Sequence, residues 1–174
     1  MESLSPILFL VPGIALTLAV VAYRYFSKRV SNRRAYRRYV AAVAGMAYLL
    51  NFAWEVSQGF LYQGYEYDFQ HISFCALASV ADVFMVFLLL FGFGLIYGDV
   101  YWTCHLSPYR IAALMAAGGV GAIVAETLHT GRGSWSYAEA MPLLPWVNVG
   151  LTPVLQFTIL PLVIFWACRK FING

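Results

Sequence analysis

Residues 48–62 read YLLNFAWEVSQGFLY, a carboxylate and two amides set inside a run that is otherwise apolar enough to cross a membrane. Tyr48, Asn51, Glu55, Gln58 and Tyr62 recur at steps of three and four, so a helix over this run carries them on one face and apolar side chains on the other. An ionisable group at the centre of a membrane helix costs about 2.5–3.5 kcal/mol on the insertion scale, so it is kept against other helices and is a functional-site candidate by default. Two further carboxylates, Asp82 and Glu126, lie in later apolar segments and pose the same question.

Outward from this stretch, the composition excludes a soluble domain. Of 174 residues, 61% are hydrophobic and 11% charged, against about 25% charged in ordinary globular domains. The apolar residues cluster near 5–26, 39–62, 71–97, 109–129 and 147–168. Each cluster has roughly the 20 residues a helix needs to span the hydrocarbon. The expected fold is all-α: residues 1–174 form a single five-helix transmembrane domain of an integral membrane protein, placed in the plasma or inner membrane. The first segment has no basic stretch before it and strong positive charge after it, and reads as an uncleaved first helix rather than a signal peptide.

Basic residues set the orientation. Arg24, Lys28, Arg29, Arg33, Arg34, Arg37 and Arg38 crowd the first connection, Arg110 lies in the third, and Arg169 and Lys170 follow the last helix. Arg132 alone falls on the opposite side. Because Lys and Arg of short loops stay cytoplasmic, the N-terminus is expected outside and the C-terminus in the cytoplasm. The net charge of +3 follows from that rule, and no nucleic-acid partner is implied. Cys75, Cys104 and Cys168 are scattered and suggest no disulfide framework. Cys104 with His105 is too few ligands for a metal site, and Lys28 and Lys170, both at the basic face, leave no lysine for a retinal Schiff base.

Several groups join the acids. His71, Cys75, Ser79 and Asp82 share one helical face, with Asp82 about 16 Å along the helix from His71. Glu126 and His129 are three apart at the outer end of the fourth segment, where Ala113, Ala117 and Gly121, or Gly118 and Ala122, offer small-residue spacing for close helix packing. The connection GRGSWSYAEAMPLLPWVNVG brings Trp135, Tyr137 and Trp146, either as an interfacial aromatic belt or as a lid. The fifth segment carries Gln156 between Pro153 and Pro161, and each proline is expected to free a carbonyl four residues earlier and border a cavity. Glu55 with Gln58 and then Asp82 are echoed by Glu126 with His129 and then Gln156, a faint sign of duplication.

The acids have no lysine or arginine at their depth, so they are expected to converge on one site, neutral or hydrogen-bonded to Asn51, Gln58, His129, Tyr137 or Gln156. Such an acid can start a carbocation, and aromatic faces can stabilise one. Trp54, Tyr62, Trp135 and Tyr137 are candidates for those faces. The expected catalytic groups are therefore Glu55, Asp82 and Glu126. Asn51, Trp54, Gln58, His129, Trp135, Tyr137 and Gln156 are expected to bind substrate, with no cofactor and no metal. The alternatives from the same residues are a proton- or cation-coupled transporter acting as a homo-oligomer, a metal-dependent hydrolase or oxidase for which too few imidazoles are at hand, and a scaffold whose polar cluster only holds helices together.

The run Asn51-Phe52-Ala53-Trp54-Glu55 resembles the Asn-x-Ala-Trp-Glu motif of the integral-membrane terpene cyclases of fungal meroterpenoid pathways. The resemblance implies that Glu55 protonates a polyprenyl epoxide or alkene and that the partner is a membrane lipid or isoprenoid substrate. Those cyclases have more helices and a second acid in the last one. Here the fifth segment offers Gln156, so Asp82 or Glu126 would take that role.

Overall fold

Local sequence chemistry starts and stops each helix. A computed structural model describes residues 10–172, with side chains from Gly13 onward. The first helix, α1, spans Leu10–Arg29; residues 5–9 of the first expected segment lie outside the described residues. Asn32 caps α2, Arg33–Gln58, its Oδ1 accepting from the backbone N–H of Arg34 at 3.1 Å and Ala35 at 3.0 Å. The helix therefore begins six residues before the apolar run and takes Arg33, Arg34, Arg37 and Arg38 into its first turns. Asp68 caps α3, Phe69–Tyr97, through His71 N–H at 2.8 Å, and Gly98 ends it in the left-handed conformation at φ 68°. Ser107 and Pro108 open α4, Pro108–Gly131. The last helix, α5, is Leu151–Cys168, its first N–H donating to Pro142 O at 2.7 Å.

Four stretches are long and apolar enough to cross a membrane among the described residues: Arg33–Leu61, Phe69–Tyr97, Pro108–Gly131 and Leu151–Phe171. Their outward surface is apolar, with Leu49, Leu77, Ile96, Val120 and Trp166 more than half exposed. Such a surface is stable against lipid and not against water. The chain is a multi-pass membrane protein.

In the bundle α2 packs on both α3 and α5, α1 packs on the far side of α3, and α4 packs on α5, whereas α3 and α4 touch sparsely. The two halves differ in chemistry. Toward the basic end lies an apolar core including Tyr36, Tyr39, Leu90, Trp102, Leu114 and Phe165. Its polar atoms are internally satisfied: Trp102 Nε1–H donates to Leu90 O at 2.9 Å, and Tyr39 Oη lies 2.8 Å from Thr103 Oγ1. The opposite half holds the carboxylates.

Two expectations about α4 and α5 are corrected by the packing. Pro153 sits in the first turn of α5, where an N–H has no helical partner in any case. Pro161 is the proline that breaks the ladder, freeing the Phe157 carbonyl. That carbonyl is not turned toward a cavity. It lies against Gly118, where a Cβ would collide with it. Of the two small-residue sets, Gly118 and Ala122 are buried in the α4–α5 contact. Gly121 belongs to the other side, where a Cβ would stand 3.8 Å from the Met85 methyl of α3.

Candidate functional site

Gln156 occupies the centre of the polar half and is fully buried. Its Nε2 donates to Asn51 Oδ1 of α2 at 2.9 Å and to Asp82 Oδ2 of α3 at 3.3 Å, and its Oε1 accepts from Gln58 Nε2 at 3.2 Å. Gln58 uses its other hydrogen on Glu55 Oε1 at 3.1 Å, while its Oε1 accepts from Trp54 Nε1 at 3.1 Å. Asn51 Nδ2 donates to Ala47 O at 2.8 Å. This circuit joins three helices, and no buried side-chain donor or acceptor is left without a partner among the described residues. The helical spacing of Asn51, Glu55 and Gln58 delivers all three to one place, as their periodicity requires.

Glu126 stands in a second group built by the connection after α4. Its Oε2 accepts from Tyr137 Oη at 2.5 Å and from Trp135 Nε1 at 3.2 Å. His129 stacks on Trp135 with ring centroids 4.3 Å apart, and its Nδ1 lies 3.4 Å from Ser134 Oγ. Gly150 makes room for Tyr137, since a Cβ there would stand 3.1 Å from its ring.

Tyr62 joins the end of α2, which carries the first group, to the second. The α-helix stops at Gln58, a 3-10 turn covers Gly59–Leu61, and Tyr62 is extended. It therefore leaves the helical face on which its spacing had placed it. Instead it pairs antiparallel with Tyr137, flanked by Ala138 N–H to Leu61 O and Gln63 N–H to Ser136 O, both at 2.9 Å. The Tyr62 ring lies 5.7 Å from Tyr137 and 6.4 Å from Trp135. Burial first, then the charges of Glu126, Glu55 and, further down, Asp82 push the Tyr62 hydroxyl far above the usual phenol range. Burial and the bond to Glu126 push Tyr137 up as well.

The connection from α4 to α5 is divided between the two roles expected for it. Residues 135–138 form a strap over Glu126. The hairpin of Leu143–Leu144 with Val149–Gly150 carries Trp146, 96% exposed at its tip. His71, Cys75 and Ser79 do not join the acids: His71 pairs with Asp68 at 2.8 Å, Cys75 faces Tyr65 Oη at 3.7 Å, and Ser79 donates to Cys75 O. The echo between Glu55 and Glu126 does not extend to their partners, one being held by an amide and the other by two aromatic donors. No cluster of three or more His, Cys, Asp or Glu suited to a metal occurs among the described residues.

Sequence spacing could not reveal the strap or the role of Tyr62, because both depend on a loop returning 73 residues later, as in the bond from Ser136 Oγ to Gln63 Oε1 at 2.8 Å. One local signal was Gly59, which must lack a side chain because the Tyr65 ring fills that space.

Together these features define a class: a multi-pass α-helical membrane protein whose carboxylates, Glu126 buried and Glu55 and Asp82 half-buried, are held by neutral amides and aromatic donors rather than by cations. Set against known proteins, the chain matches no protein-family profile, no curated protein and no solved structure.

Proposed function

We propose that this chain is an integral-membrane enzyme that isomerises or cyclises an isoprenoid or related lipid by acid catalysis, along the lines of the terpene cyclases that residues 51–55 resemble. The observation that carries the reading is the bracket formed by Glu55, Gln58, Gln156 and Asp82, which holds two carboxyl groups in one circuit. Glu55 gives its proton to an alkene or epoxide of the substrate, forming a carbocation. Asp82 takes a proton from the rearranged cation, so no oxidant or reductant is consumed. The faces of Tyr62, Trp135 and Tyr137 stabilise the positive charge between those steps, and Glu126 positions Trp135 and Tyr137 through its two bonds.

In this reading α1 supplies a fifth span, the basic end faces the cytoplasm, the N-terminus lies outside, and the host is the plasma or inner membrane. The substrate comes from the bilayer between α3 and α4, where contact is sparse. A transporter reading loses its main structural support, because the break at Pro161 is filled by Gly118.

The test is lipid and isoprenoid profiling of cells expressing the wild type or Glu55→Gln at matched levels, with helix content and elution profile as folding controls. A product made only by the wild type supports the reading and names the substrate. Identical profiles in a host containing polyprenyl lipids reject it.

A further inference from the structure

Away from the acids, a groove of about 290 Å³ opens at the basic end between the C-terminal turns of α1 and α3. Its walls carry opposite charge. One wall has Arg29, whose guanidinium lies 3.5 Å over the Tyr25 ring, and Ser31, beside the cap of α2. That helix opens with Arg33 and Arg34 at the positive end of its dipole, although Asn32 caps the N–H groups of Arg34 and Ala35. The other wall has Asp99 and the C-terminal end of α3, whose last carbonyls are a negative region.

Asp99 is the one carboxylate at the basic end among the described residues, yet Arg29 and Asp99 are not paired across the groove they share. Asp99 Oδ1 accepts from Tyr101 N–H at 2.8 Å. Below the charges the groove is apolar: Leu95 lines it and is half exposed, and Val21 and Ile96 are exposed on the same two helices. Phe26 packs against Gly94 and closes the floor.

We propose that this groove binds a phosphoethanolamine lipid. The phosphate is held by Arg29 and Ser31, the ammonium by Asp99 and the end of α3, and an acyl chain runs along Leu95 and Val21. A singly anionic headgroup would satisfy Arg29 and meet repulsion from Asp99. A headgroup carrying both charges at a short separation satisfies both walls. The site shares no residue with the acids in the other half of the bundle, so it stands whether or not the catalytic reading does.

The test is native mass spectrometry of the detergent-purified full chain titrated with phosphatidylethanolamine, phosphatidylglycerol and phosphatidylcholine of matched chains, and with soluble glycerophosphoethanolamine. Phosphatidylethanolamine is expected to bind about tenfold or more tighter than the other two lipids, since charge-assisted bonds to Asp99 are available to it alone. The soluble headgroup should bind far more weakly than the lipid. Asp99→Asn keeps the acceptor for Tyr101 N–H and should erase that preference while leaving phosphatidylglycerol binding equal or stronger. Arg29→Gln should weaken both. The proposal fails if phosphatidylglycerol or phosphatidylcholine binds as well as phosphatidylethanolamine, if the soluble headgroup competes equally, or if Asp99→Asn, with wild-type helix content, keeps the preference.

Discussion

Replacing Gln156 by leucine tests the architecture of the site independently of any catalytic role. The substitution keeps the side-chain volume roughly constant and removes three hydrogen bonds, two to α2 and one to α3. Interhelical hydrogen bonds in membrane proteins average about 0.6 kcal/mol, which gives about 2 kcal/mol for three. Asn51 and Gln58 stay buried and each loses a partner, and an unsatisfied buried group costs about 1–3 kcal/mol. The two figures describe the same lost bonds and do not add, so the expected loss is about 2–6 kcal/mol, a factor of roughly 30 or more in the unfolding equilibrium. Reversible unfolding by sodium dodecyl sulfate in bicelles, or steric trapping, measures it. In the Gln156→Leu background, Asn51→Leu should cost less than it does alone, because its cross-helix partner has already gone. A loss below about 0.5 kcal/mol, with additive single variants, would refute the assignment of Gln156 as the joint between α5, α2 and α3.

Other regions give independent outcomes. Gly118→Ala should destabilise by about 1–3 kcal/mol, because the Phe157 carbonyl it would strike is backbone and cannot rotate away. Gly45→Ala, with open space around it, should be neutral or stabilising by up to about 1 kcal/mol in the same unfolding assay. Tyr137→Phe keeps the ring on Gly150 but loses the bond to Glu126, so about 1–2 kcal/mol should go and the strap should loosen, read as faster hydrogen exchange at the Gln63 and Ala138 amides. At the start of α3, the His71 N–H and then its ring hold the Asp68 carboxyl below the usual range. The stabilisation is complete above the unfolded value near 3.9 and is lost as pH falls through the lower folded value. The His71 amide should lose protection at acid pH in the wild type and show no such acid transition in Asp68→Asn, which caps by an uncharged oxygen.

Much of this arrangement was legible in the sequence. The steps between Asn51, Glu55 and Gln58 sufficed to place them together, since a helix converts spacing directly into direction, and the lone Gln156 in an apolar segment marked the side chain that would meet them. Hydropathy locates lipid contact and so starts α2 too late, whereas the helix obeys Asn32 and its cap. Tyr62 reaches Trp135 and Tyr137 off the helical face its spacing implies, because the α-helix ends at Gln58 and the next turn is tighter. For Pro161, a single chain shows which bond is lost and not which neighbour fills the gap. Asp99 and Arg29 stand 70 residues apart in sequence, and no local spacing links them.

The choice of amides to hold the acids has a physical consequence. A buried arginine would have stabilised each carboxylate at a high desolvation cost and left a strong uncompensated charge whenever a proton moved. An amide N–H can donate to a carboxylate oxygen, more strongly, or to the carbonyl oxygen of the neutral acid, so the bonds from Gln156 and Gln58 have an acceptor in either protonation state of Asp82 or Glu55. The remaining contacts make this circuit rigid. The strap of Tyr62 and Tyr137 covers one end, and the packed core around Trp102 and Phe165 fills the other. In the proposed reading, an apolar molecule reaches this polar centre through the sparse α3–α4 contact. The proposed proton transfer inside lipid would draw on acids whose hydrogen-bond partners do not have to reorganise when their charge changes.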